Sequence, residues 1–250
     1  MQEKPDVFDR FHQAFSNMKG HFHILERQVP VDVQMDYFKQ SERVKEHKPL
    51  MQESKMGEFE SELYNDLIPI DEKKHILLMF ANSRDVKGYR ILEKYAENPV
   101  PELSDWTSLA LVESRMSLES ELSGEKQIFI STGLGGRNNK LRFYTLLLSA
   151  DRQPFQDYQR QVIEREFSFA FSKLDIEIEE LNVADNHVEM LYMIPVQTNL
   201  KEVLNNTIAE CNIYGNFLSN DYTVTNLKKL TPDEIQKIIH EKDGDTQASN

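Results

Sequence analysis

The stretch from Gln127 to Ala150 contains no acidic residue, and within it lies the most unusual segment of the chain, GLGGRNNK, spanning Gly133 to Lys140. Gly133, Gly135 and Gly136 can expose backbone amides, and Arg137, Lys140 and Arg142 supply cations beside them, with Asn138 and Asn139 between. Amides freed by glycine and backed by positive charge can cradle a phosphate or a carboxylate. The segment lies between two strand-like runs, however, and has neither GKS/GKT nor the GxGxxG spacing of nucleotide-binding loops. A glycine-rich hairpin tip that needs positive φ is the plainer reading of the same residues.

A second group is acidic. Asp175, Glu177 and Glu179 alternate along a strand-like run and so share one face, with Glu180 beside them. Such a row suits a cation or a basic partner, although the solvated side of a half-buried strand has the same pattern. His12, His21 and His23 form the only histidine cluster, too few for a zinc site in the absence of HExxH or CxxC. No metal and no cofactor is expected. Cys211, the single cysteine, falls on the apolar side of a helical stretch and reads as packing. No GxSxG elbow is present. Trp106, Tyr89 and Tyr95 could line a groove for a peptide, but their spacing fits a core stripe better.

These residues need a scaffold, and the hydrophobic period changes along the chain. Val7, Phe11 and Phe15 mark a short helix before Gly20, and the polar stretch from Lys39 to Glu58 reads as a weak helix and a mobile connection, giving a first segment of residues 1–57. Residues 58–124 read as a helical bundle. In it, HILLMFA ends a helix buried on several sides, and Val86, Tyr89, Leu92 and Tyr95 form one stripe capped by Asn82 or Ser83. Pro99 and Pro101 break the chain before a third helix, with Ser104 or Asp105 as its cap. No second copy is visible that would indicate a repeat array.

Past Gly124 the period turns to two, and residues 125–240 read as an α+β domain of order ββαββαβα: an antiparallel sheet with helices on one face. Gln127–Thr132 and Leu141–Ser149 are expected to pair as a hairpin around GLGGRNNK. Ile163, Phe167, Ala170 and Leu174 define the following helix, Thr198 or Asn199 caps the next, and Thr231-Pro232-Asp233-Glu234 starts the last. Residues 241–250 read as a disordered tail.

Composition sets further bounds. Forty-two acids against 29 Lys plus Arg give a formal charge of −13, which disfavours wholesale nucleic-acid binding. A lone cysteine excludes an intramolecular disulfide scaffold, no apolar run reaches the length of a membrane span, and the first residues lack the features of a secretory signal. The expectation is therefore an acidic cytoplasmic protein with no membrane association.

Since every testable catalytic signature is absent, the sequence points to a non-catalytic interaction or regulatory protein whose partner is another protein, with self-association through a sheet edge as an addition. The alternative is an enzyme or binding protein for an anionic small ligand at residues 133–142. A third reading is RNA binding on the sheet face, with Phe129, Phe143 and Tyr144 stacking bases.

Overall fold

The computed structural model describes residues 21–47, 53–125 and 127–247. The helix expected over Asp6 to Met18 lies outside them. The chain divides into two compact units, one of described residues up to Gly135 and the other from Gly136 onward.

The first unit is a helical bundle closed by a small sheet. Its elements are β1 (His21–Ile24), α1 (Val31–His47), α2 (Met56–Leu63), α3 (Ile70–Ala81), α4 (Val86–Glu97), α5 (Ser104–Ser123) and β2 (Gln127–Ile130). The amphipathic stripes bury Tyr37, Leu77, Phe80, Leu92, Tyr95, Trp106 and Leu109 in a single core. Trp106 donates its indole N–H to the carbonyl of Lys74 at 3.3 Å, which gives its polar edge a partner as burial requires. Trp106 and Tyr95 are core residues, 2% and 1% exposed, and line no groove.

Local chemistry sets the helix ends. Asp85, and not Asn82 or Ser83, caps α4 by accepting from the Lys87 amide at 2.7 Å. α5 has no side-chain cap: a 3-10 turn, Pro101–Leu103, leads straight into it, and it stops at Gly124 in the left-handed conformation with φ +66. β2 does not form the hairpin expected of Gln127–Thr132. It pairs in parallel with β1, His21 opposite Gln127 and Ile24 opposite Ile130.

The second unit contains β3 (Gly136–Arg137), β4 (Lys140–Ser149), α6 (Asp157–Lys173), β5 (Glu177–Val183), β6 (His187–Pro195), α7 (Leu200–Asn212), β7 (Leu218–Thr225) and α8 (Pro232–Gln247). The helix α8 extends through most of the stretch expected as a disordered tail. All pairings are antiparallel: β4 lies between β6 and β7, β5 flanks β6, and the short β3 joins the start of β4. From β4 to β7 the order βαββαβ with both central strands antiparallel is the split βαβ, or ferredoxin-like, arrangement. The fold is α+β as the alternating periods imply.

Register assigns the faces. Phe143 opposite Tyr192 and Thr145 opposite Met190 point to the helices, where the Phe171 ring of α6 meets Tyr192 edge-on at 5.0 Å. Tyr192 and Thr145 share a buried hydrogen bond of 2.7 Å, and Tyr222 of β7 donates to Asn205 of α7 at 3.0 Å. Arg142, Tyr144, Glu189 and His187 belong to the opposite face. Asn199 caps α7, and Thr231 with Glu234 forms the reciprocal cap of α8. Among the described residues, no helix is long and apolar enough to cross a membrane.

Candidate functional site

The glycine-rich segment is divided by the fold. Gly133 and Leu134 form a buried turn closed by the Gly135 amide on the Thr132 carbonyl at 3.2 Å. Gly135 has φ +69, and a Cβ there would fall 2.7 Å from the Glu26 carbonyl oxygen and 2.9 Å from those of Leu25 and Arg27. Only glycine permits this approach of one backbone to another. Gly136 begins β3, and the true hairpin turn is Asn138-Asn139, with φ of 51 and 60, the left-handed pair that a two-residue type I′ turn demands. Gly135 thus serves a close backbone approach, while the asparagines make the turn.

The cations that follow meet the acidic row. Lys140, its side chain 8% exposed, donates to Asp175 at 2.8 Å and to Glu177 at 2.6 Å, and Arg137 lies 3.4 Å from Glu177. Arg142 bonds Glu179 through two nitrogens, Nη2 to Oε1 at 2.9 Å. These partners hold the carboxyls of Glu177 and Glu179 below their ordinary range and raise Lys140 and Arg142. A phosphate or carboxylate ligand would have to displace three carboxylates to use these cations.

On the same face, β6 presents His187 and Glu189 two residues apart. Glu189 accepts from the Tyr144 hydroxyl at 2.6 Å and from the Asn182 amide at 3.3 Å, with His187 Nε2 at 3.7 Å. Burial, then the carboxylate beside it, pushes the Tyr144 phenol well above its ordinary value. Phe143 and Tyr144, two of the three rings proposed for RNA, are 6% and 2% exposed and point to opposite faces, and the third, Phe129, packs against Phe38 in the first unit. Among the described residues, no group of three or more His, Cys, Asp or Glu could hold a metal. His23 bonds Gln127 at 2.8 Å and lies 3.1 Å from Glu119; His12 is outside the described residues.

Open aromatic surface lies instead on the helical layer of the second unit. Tyr158 and Phe169 of α6 and Tyr214, just after α7, are 47%, 55% and 51% exposed. Lys173 Nζ sits 3.8 Å from the centre of the Phe169 ring, and the Arg165 guanidinium is 5.3 Å from that of Tyr214. Arg165 is also paired with Glu166 at 2.7 Å. A shallow, open depression runs along α6 past Gln161, Arg165, Ser168 and Phe169. The signal in the sequence was Tyr158 and Phe169 standing off the apolar stripe of Ile163 and Phe167, where an amphipathic helix has no packing use for a ring.

No known family profile matches the chain, and no curated protein does. Solved structures similar to it include a protein assigned as a transposase of Deinococcus radiodurans. That match has 18% identity and a TM-score of 0.35 over 43% of this chain and 94% of the other. Another is a REP-associated tyrosine transposase bound to a REP hairpin, with 12% identity and a TM-score of 0.32 over 42% of this chain and 64% of the other. Both of these structures are named as transposases, which runs against the expectation of a non-catalytic protein-interaction or regulatory protein with a protein partner and nucleic acid disfavoured. The charge argument behind that expectation was a sum over the whole chain, which does not describe the local pairing of cations with exposed rings.

Proposed function

We propose that the second unit binds single-stranded nucleic acid on the outer face of α6 and the end of α7. The observation that carries this reading is the pairing of half-exposed rings with cations, Phe169 with Lys173 and Tyr214 with Arg165. Bases of any identity stack on such rings, and adjacent cations meet the backbone. Each ring is about half exposed, which leaves area for a base beside its cation. The net charge of −13 makes this binding weak at high salt and favours single strands, whose bases are available for stacking, over duplex. The compartment we assign is the cytoplasm, in keeping with a lone, buried cysteine.

The test is fluorescence anisotropy of a labelled 20-nucleotide oligothymidine with the full chain at low ionic strength. Phe169→Ala and Tyr214→Ala should each weaken binding by roughly 5- to 100-fold, as loss of a stacked base does. Absence of binding by the wild type at low salt, or equal affinity for a duplex of the same length, would refute the reading.

A further inference from the structure

The first unit has a cavity of about 240 Å³ beneath α1, α5 and β2, separate from the surface assigned to nucleic acid. Its walls are apolar: Phe38, Leu109, Met116 and Phe129, with the rings of Phe38 and Phe129 edge-to-face at 5.5 Å. One end is polar and is built around Glu113, whose side chain is 11% exposed. Oε1 accepts from Ser41 at 2.7 Å and Lys45 at 2.8 Å, and Oε2 accepts from Tyr37 at 2.6 Å. A carboxylate offers about four acceptor positions, so Oε2 retains one. Lys45, which lines the same end, also bonds the exposed Glu42 at 3.1 Å.

We infer that this cavity is a binding site for a small planar aromatic molecule bearing an N–H donor, of the indole or aromatic-amine kind. Volume favours it: an apolar protein cavity of ~150 Å³ accommodates benzene, so this one has room for a fused bicyclic ring. The walls supply edge and face contacts for a ring, and the remaining acceptor on Glu113 selects a donor. An apolar pocket with a few polar groups, here Glu113, Lys45 and Ser117, is the usual form of a small-ligand site.

Indole is the probe, titrated into the full chain by calorimetry or ligand-observed NMR. Benzofuran, of the same shape with oxygen in place of N–H, serves as the control on wild-type protein. Indole should bind saturably at one site and about tenfold more tightly than benzofuran, since a donor to a charged acceptor contributes that much. Met116→Trp, placing a large side chain into the cavity from its half-buried lip, should reduce indole affinity at least tenfold while the thermal unfolding midpoint changes little. Failure of wild type to bind indole, equal affinity for benzofuran, or undiminished binding by a folded Met116→Trp protein would each overturn the assignment.

Discussion

Arg142 on β4 reaches past Met193 of the intervening strand β6 to hold Glu179 on β5 through two nitrogens. The pair is mostly shielded, with side chains 13% and 24% exposed, and Glu179 is the extra residue of a bulge in the β5–β6 ladder. A two-point charged contact of this kind fixes geometry as well as charge.

It follows that acid should loosen the second unit. The folded-state pKa of Glu179 is lowered by Arg142, and that of Glu177 by Lys140 and then Arg137. A depressed carboxyl contributes its stability above the unfolded value of about 4.3 and loses it as pH falls through the folded value. Urea midpoints followed by circular dichroism should therefore fall as pH drops below about 4.5, and less so in Glu179→Gln. A double-mutant cycle of Arg142→Ala with Glu179→Ala should give a coupling of about 1 kcal/mol at neutral pH. Equal acid sensitivity of Glu179→Gln and wild type would mean that the pair stabilises nothing.

Cys211 should be chemically silent in the folded protein. It is fully buried on α7, and burial pushes its thiol up to about 12. At pH 8 its thiolate fraction is then roughly a thousandfold below that of an unfolded chain with a pKa near 8.5. Ellman's reagent should react at least a thousandfold more slowly with native protein than with protein in 8 M-range urea, and fast native reaction would contradict the burial.

Two glycines with nearly the same φ should behave differently. Gly135 has carbonyl oxygens within 3 Å of any added Cβ, whereas Gly124 has nothing within 4 Å. Gly124→Ala should cost about 1 kcal/mol, the left-handed penalty alone. Gly135→Ala adds a backbone clash and should cost about 2 to 4 kcal/mol. Trp106, the only tryptophan and a core residue of the first unit, reports both by fluorescence during urea unfolding.

At the hairpin tip, Asn138→Val should cost about 1 to 2 kcal/mol, because a β-branched residue resists φ 51. Asn139→Gly should be neutral or mildly stabilising, since Asn-Gly is the preferred pair for this turn. Comparing thermal midpoints of the two variants separates turn geometry from loss of the asparagine side chains.

Much of the scaffold was legible because periodicity is local. Leu92 with Tyr95 and Ile163 with Phe167 are buried as the helical spacing implies, although Val86, counted in the first stripe, is 59% exposed, and the apolar run from Leu141 to Ser149 forms a strand buried on both faces. Strand partners are not local: Gln127–Ile130 looks as fit for β4 as for β1, and only the assembled fold decides. For the same reason the basic and acidic motifs read separately as an anion site and a cation site, although they face each other across β6. The aromatic face was missed because the stripe of α6 shows which of its sides is buried but not what stands beside the other: Tyr214, which follows α7, meets Arg165 of α6 only in the assembled fold.

The parallel clasp of β1 and β2 joins the two ends of the first unit's described chain around all the helices between them. Helices whose contacts are near in sequence can form early, but a parallel pair so remote in sequence can close only after those helices have drawn its strands together. The clasp is therefore the late step of assembly and the natural place for opening to begin. Hydrogen exchange at the Leu25 amide, bonded to the Ile130 carbonyl at 3.0 Å, times that opening.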